Sequence, residues 1–444
     1  MTPLLLKPND VLFFRDGRPI GGSFSGQGAA WPSPHVIGGA FHAALHRAGI
    51  EDGHLHRQIQ NRQAFERVRK FGALRTAGPF PVYCARGKPI WYFPRPLDAC
   101  KQKTLRPDLL PAAHPDEAVG SLPDPLRYPL VSTLPPSKES DIAPWITANG
   151  FRAYLDRNGS ETAVPDFEFL DNGTFCDTEH YIGIGIDPNT GTQDGERFYS
   201  ANYLRLREGY GLGILADGTD KGREDQSVDL IDRLVQDHKI VVGGQQRLCT
   251  TEKLDEIALP RGESEFPAPD TGPCRLKWVL LSPTINPALP AENRSSGTSH
   301  PGGWLPAWID PESGRVELLD GPGGRKFERL KKRRPDLKPG QPIRARLVAA
   351  LIGRPEPVTG WALPDETIGE KGGAKSTHLA VPAGSIYYFE AENPDEARKL
   401  AHALNWHGDW EKTQGKTIVN RRSTLLGEKG FGLGVCGSWE FYRK

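Results

Sequence analysis

The sequence predicts an α+β protein of two packed halves, with short strands, long loops and few helices. Three observations predict it. The 50 glycines and 40 prolines among 444 residues demand many turns. Short apolar or alternating runs recur from Leu4 onward, while helical periodicity is confined to a few segments. The proline-punctuated stretch from Ala258 to Pro273 has no apolar period and divides the chain, giving halves of residues 1–260 and 275–444.

In the first half, Leu4 to Phe14 reads as a strand interrupted at Lys7 to Asp10 and entering a turn at Asp16-Gly17. After a glycine-rich loop, Ser33 and Pro34 resemble an N-cap and first helical residue. Val36, Ile37, Ala40, Phe41, Ala44 and Leu45 then recur at helical spacing until Gly49. A second helix with a basic face is expected from about His54 to Phe71. Phe80 to Cys84 and Ile90 to Phe93 flank Arg86-Gly87-Lys88 as a hairpin, and a loop or insertion follows from about Cys100 to Asp141. Tyr181 to Ile186 and Arg197 to Ile214 surround Asp187-Pro188-Asn189-Thr190-Gly191 as a long hairpin. A short helix over Val228 to Asp237 leads into Ile240-Val241-Val242.

The second half offers strands at Arg275 to Leu281, Ile343 to Ile352 and Ser385 to Glu390. Asn393, Pro394 and Glu396 form a capping-box-like start to a helix over Pro394 to Asn405. A glycine-rich turn and a strand from Ser438 to Tyr442 close the chain. Strand, helix, loop and strand make half of a ferredoxin-like unit.

Composition limits the function classes. A hydrophobic share of 37% with 25% charged residues is that of an ordinary soluble protein. Lys and Arg total 56 against 55 Asp and Glu, so any RNA contact must rely on local clusters. Candidates are Lys331-Lys332-Arg333-Arg334, Arg421-Arg422, and the run of Arg86, Lys88, Arg95, Lys101, Lys103 and Arg106. The six cysteines are scattered without a C-x-x-C pair, which indicates neither zinc nor a disulfide framework. No apolar run approaches a membrane span, so a cytoplasmic protein without membrane contact is expected.

The most suggestive segment is Gly430-Phe431-Gly432-Leu433-Gly434-Val435-Cys436-Gly437, where four glycines crowd into eight positions. Glycine permits positive φ and close approach of another molecule, typically a phosphate. The segment spells G-x-G-x-x-G, but only seven residues follow it, too few for the helix and acidic residue of a dinucleotide site. Gly408 to Thr417 mimics a phosphate loop with the wrong spacing. His42 and His46 are spaced like zinc ligands but lack the catalytic Glu of a metalloprotease helix. There is no G-x-S-x-G elbow and no other catalytic constellation, and no cofactor or metal is expected.

Several segments together carry a family resemblance. They are Asp10-Val11-Leu12-Phe13-Phe14-Arg15-Asp16-Gly17-Arg18-Pro19, Trp31-Pro32-Ser33-Pro34, Gly243-Gly244-Gln245-Gln246-Arg247, Leu379-Ala380-Val381-Pro382-Ala383-Gly384-Ser385-Ile386-Tyr387-Tyr388-Phe389, and the closing glycine run. The chain thereby resembles the RAMP superfamily of CRISPR proteins, and within it the subunit-three family of the type III-B Cmr effector complex. Gln245 departs from that family's usual Glu. The resemblance implies two ferredoxin-like, RRM-like modules and no nuclease activity. It also implies a place in antiviral defence holding the 5′ handle of the guide crRNA, between the large polymerase-like subunit and the first backbone RAMP subunit. The long hairpin would be a thumb-like projection.

On that reading the main chain of Gly430, Gly432, Gly434 and Gly437 and of Gly243 and Gly244 approaches handle phosphates. Lys429, Arg247, Arg421 and Arg422 supply charge beside them. Arg15, Arg18 and the helix start at His35 hold a terminal phosphate or a flipped base. The rival is a metal-independent RAMP endoribonuclease that cuts repeat RNA with His35 as general base.

Overall fold

The computed structural model describes the chain apart from residues 16–23, 27–28, 30, 49–55, 58–69, 72–73, 85–87, 100–108, 113–121, 133–142, 156–167, 222–226, 238, 270–271, 295, 363–372 and 443–444. Its principal elements in the first half are β1 (Thr2–Pro8), α1 (Pro34–Arg47), β2 (Arg75–Tyr83), β3 (Ile90–Pro94), β4 (Trp145–Thr147), α2 (Ala148–Leu155), β5 (Phe169–Leu170), β6 (Cys176–Ile186), β7 (Gln193–Leu206), β8 (Tyr210–Asp217), α3 (Leu230–Asp237), β9 (Ile240–Val241) and β10 (Leu248–Lys253). The second half contributes β11 (Cys274–Leu280), α4 (Gly324–Lys331), β12 (Ala345–Leu351), β13 (Ile386–Ala391), α5 (Pro394–Leu404) and β14 (Gly434–Ser438).

Each half builds a principal antiparallel sheet around the same order of strands. In the first, β10-β1-β8-β2 form the centre, extended by β9 on one side and by β3, β4 and β5 on the other. In the second the order is β14-β11-β13-β12. Leaving out the elements inserted between β2 and β8 and the short β9, both run strand, helix, two strands, helix, strand along the chain, with the fourth strand beside the first and the third between the first and second.

The period-2 pattern then sets four layers. Leu4 and Leu6 of β1 face α1 and α3 together with Ile37, Phe41, Ile214 and Leu234. Leu5, between them, points the other way and joins Val82, Phe93, Val279, Tyr388 and Val435, so the two sheets pack face to face. On β11, Leu276, Trp278 and Leu280 turn outward to α5, against Leu400 and Leu404. Helices therefore cover the two outer faces.

The alternation of β11 also aims Lys277 into the middle of the molecule. Its Nζ lies 3.1 Å from Asp98 Oδ2, and both side chains are fully buried. The Tyr154 hydroxyl donates to Asp98, Tyr388 donates to it at 3.3 Å, and the Lys277 ammonium sits 3.9 Å from the centre of the Tyr154 ring. Asp98 belongs to the first half and Lys277 and Tyr388 to the second, so this closed network ties the sheets together.

Several sequence expectations meet their elements. Asn393 caps α5 by accepting from Glu396 N at 3.0 Å. The Glu396 carboxylate, however, turns to Arg344 N at 2.7 Å and to Lys399, so the capping box is not closed. The hairpin turns at residues 187–192 as the sequence implies, but its return strand β7 ends at Leu206, and Tyr210 begins the separate β8 in the centre of the first sheet. Exposed Tyr181, Ile182, Ile184 and Ile186 line β6. In the helix expected over His54 to Phe71, the described ends are extended instead, His56–Arg57 pairing with Lys70–Phe71. The last strand begins at Gly434, so the end of the glycine run is itself strand. Among the described residues no helix is long and apolar enough to cross a membrane.

Candidate functional site

A cavity of about 1370 Å³ opens between the halves, and several of the sequence segments singled out above converge on it. Phe13, Phe14 and Arg15 form one edge, and Trp31 to Val36 with the first turn of α1 form another. Gly243 and Gly244 close a third side. The second half supplies Leu281 to Pro283, Glu356 to Gly360, Lys375 and Ala383.

Local chemistry explains each placement. Trp31 is fixed by its indole N–H, which donates to Pro79 O at 2.9 Å, and by edge-on contacts with Trp145 and Phe175. Trp145 in turn donates to Asn172 Oδ1 at 2.8 Å. Gly243 has φ +76, and a Cβ there would lie 2.4 Å from Phe13 O. Gly244 N donates to that same oxygen at 2.9 Å, so the glycine pair lets the Phe13 main chain cross over it. Gly384, in the Val-Pro-Ala-Gly-Ser turn, has φ +83 and comes close enough to Arg95 O that a Cβ would stand at 2.5 Å. Leu97 N donates to Gly384 O at 2.9 Å. That turn thereby sets Arg95, whose guanidinium donates to Ala99 O, on the cavity wall.

Among the described residues, the cations on the wall are Arg15, Arg47, Arg95 and Lys375, against one carboxylate, Glu356. Burial pushes the Glu356 carboxyl above its usual value. His35 lines the same cavity, with Nδ1 3.0 Å from Ser33 Oγ. Burial, then the charges of Lys429 and Lys375, lower its pKa to about 4. The imidazole is therefore neutral near pH 7 and offers hydrogen bonding rather than charge.

Arg15, His35, Gly243 and Gly244 are thus brought together, and Arg18 lies outside the described residues. The other expected site residues are placed differently. Arg247 is held 3.4 Å from Asp10, donates to Gln245 Oε1 at 3.3 Å and stacks over Tyr203, bracing the base of the hairpin. Arg421 and Arg422 are largely withdrawn from solvent, and burial lowers both to about 10. Arg422 donates to Ala403 O, in the last turn of α5, at 2.7 Å, and Arg421 to Ile418 O at 3.3 Å, so both are engaged with main-chain carbonyls of the protein. Lys429 packs its stem against α1 at Gly38, behind His35.

The closing glycines are corrected in the same sense. They do permit close approach, but the partner is protein. A Cβ would meet Ala77 Cα at 2.9 Å from Gly430, Ser423 N at 2.3 Å from Gly432, Trp278 Nε1 at 2.2 Å from Gly434, and Leu155 Cδ2 at 2.7 Å from Gly437. Gly432 N donates to Pro283 O at 2.8 Å, and Gly434 and Gly437 sit in register with Leu280 and Lys277. Gly434→Val is therefore expected to destabilise the fold by about 1–3 kcal/mol through overpacking against Trp278. A denaturant midpoint equal to that of the unsubstituted chain would contradict this.

Sequence reasoning missed Lys375, Glu356, Trp145 and Asn172. Lys375 stands just before the Leu379 to Phe389 segment, and that proximity is its only signal. Among the described residues no group of three or more His, Cys, Asp or Glu side chains is arranged to hold a metal ion.

A family model described as "CRISPR-associated protein (Cas_Cmr3)" matches residues 4–439. Among solved structures, the chain is similar to one in the cryo-EM structure of the type III-B Cmr-beta bound to cognate target RNA and AMPPnP. The identity is 14%, 87% of this chain and 86% of that one are covered, and the TM-score is 0.40. A second structure, of Cmr-beta bound to cognate target RNA, gives 15% identity, the same coverage and 0.40. A chain of the Csm3–Csm4 subcomplex in the type III-A CRISPR-Cas interference complex gives 11% identity, coverage of 88% and 94%, and 0.33. No curated protein matches.

Proposed function

The chain belongs to the Cas_Cmr3 family of CRISPR-associated proteins, and from that premise we propose that it is a non-catalytic, RNA-binding subunit of a type III-B Cmr effector. Its work is to hold the 5′ handle of the guide crRNA and to bridge the large polymerase-like subunit to the backbone. The repeated strand order of the two halves, fourth-first-third-second, supports the reading of both as ferredoxin-like modules.

The observation that carries the proposal is the convergence of Phe13-Phe14-Arg15, Trp31 to His35, Gly243-Gly244 and Ala383 on one cavity. These segments come from both halves, and nothing in a stable core requires them to enclose space. The space they enclose has cations for phosphates and aromatic faces for bases, the combination that single-stranded RNA needs. Of the residues first expected to bind, Arg15, His35, Gly243 and Gly244 remain at the site, and Arg95 and Lys375 take the place of Arg421 and Arg422. The exposed apolar edge of β6 is the surface assigned to a neighbouring subunit.

The rival endoribonuclease reading rests on His35 lining the cavity. A base with a pKa of about 4 is poorly matched to taking a proton near neutral pH. The test is to incubate the purified chain with handle-containing repeat RNA in chelator. Retention of intact RNA is expected, with binding visible by fluorescence anisotropy. A 2′,3′-cyclic phosphate product that disappears in His35→Ala would establish the rival.

A further inference from the structure

A second charged feature lies apart from the cavity. Between Asp320 and Gln341 the chain leaves the edge of the second sheet as a small lobe formed by α4 and the turn after it. Its neck is closed by Asp320 N donating to Gln341 O at 3.0 Å and Gly340 N to Pro322 O at 3.0 Å. Within the lobe, Phe327 is buried, whereas Lys326, Arg329, Lys331, Lys332, Arg333, Arg334 and Lys338 are all exposed. Among the described side chains between Pro322 and Gly340, Glu328 and Asp336 are the carboxylates that oppose these seven cations.

The pairing of these cations sets them apart. Elsewhere in this half most exposed basic side chains stand singly or are matched to carboxylates: Arg344 pairs with Glu392, Arg398 with Glu265 and Asp395, Lys399 with Glu396, and Lys412 with Asp409, whereas Arg315, Arg354 and Lys416 are, among the described residues, isolated cations scattered over the surface. Among the described residues none of the seven lobe cations has a carboxylate within ion-pair distance, and the one further interaction is Lys331 over the Phe327 ring at 5.3 Å. In a chain whose net charge is +1, such a local excess is a concentrated field on a structure with little other substance.

We infer that this lobe is a second RNA-contacting surface, engaging the phosphate backbone of a strand longer than the cavity holds, without reading sequence. Its composition separates RNA from a protein partner. Protein interfaces have apolar or aromatic centres and are depleted in Lys. Among its described residues the lobe exposes no large apolar side chain past its neck, and four of the seven cations named above are Lys. Ammonium and guanidinium groups on a flexible exterior suit phosphate contacts and counterion release.

The test uses the full chain and two single-stranded RNAs, one of handle length and one about five times longer, titrated with salt. For the long RNA, K331A/K332A/R333A/R334A is expected to reduce the slope of log affinity against log salt by roughly 0.7 for each phosphate no longer neutralised, up to about 3. For the short RNA the slope should stay unchanged. The thermal midpoint should not move, since the altered side chains are exposed, and Lys331→Glu with Arg334→Glu serves as a second variant. An unchanged slope and affinity for the long RNA would overturn the inference, and so would failed assembly with a protein partner alongside normal RNA binding. Cavity variants at Arg15 and Lys375 measured in parallel keep the two sites distinct, because the lobe effect must persist in their background and does not depend on the cavity being the handle site.

Discussion

Asp98→Ala is expected to destabilise the protein by about 3–5 kcal/mol, because it leaves the fully buried Lys277 ammonium without its counter-charge. The loss should be visible as a lower denaturant midpoint. It should also loosen the association of the two halves, since Asp98 accepts from Lys277 and from Tyr388 across the sheet-to-sheet interface. Removing both charges together, as Asp98→Leu with Lys277→Met, is expected to cost much less than the single change, because no unpaired charge remains. Equal losses in the single and double variants would show that packing, not charge pairing, dominates here.

The second large effect concerns affinity. Arg15→Ala with Lys375→Ala removes two of the four cations on the cavity wall, one from each half. At about 1.5 kcal/mol for each charge-assisted hydrogen bond, handle-RNA affinity should fall roughly a hundredfold. The salt slope should decrease by about 1.4, at roughly 0.7 for each single-strand phosphate. By contrast, Arg421→Ala with Arg422→Ala should chiefly lower stability, because those guanidiniums serve Ile418 and Ala403 carbonyls. Should the Arg421 and Arg422 pair change the salt slope while Arg15 and Lys375 do not, the assignment of the cavity would be reversed.

Residue patterns exposed the fold well where they are local. The β11 run, the Asn393 cap and the turn at residues 187–192 depend on neighbours in sequence, and all are visible there. The described ends of the helix expected over His54 to Phe71 and the start of the last strand depart from the sequence pattern for a shared reason. Their pairing partners, Phe71 for His56 and Lys277 for Gly437, lie outside the local window that sets the pattern, and pairing overrides local preference.

The site was legible through its glycines and through Arg15 and His35, but the glycine logic held only in part. Close approach at Gly432 and Gly434 is real, and its partners are Ser423 and Trp278. Composition cannot say whether a glycine yields space to a ligand or to another strand. Nor does it say that Arg421 and Arg422 turn inward, since their acceptors are backbone carbonyls that any residue supplies. A lysine in the apolar run Leu276-Lys277-Trp278-Val279 was a signal of a buried partner, but Asp98 is identifiable only in three dimensions.

Photo-crosslinking of the assembled effector with a substituted handle asks whether the cavity between the halves holds guide RNA. Crosslinked peptides containing residues 13–15, 31–36, 241–244 and 374–383 are expected. Crosslinks confined to other surfaces, with those peptides recovered unmodified, would contradict that placement.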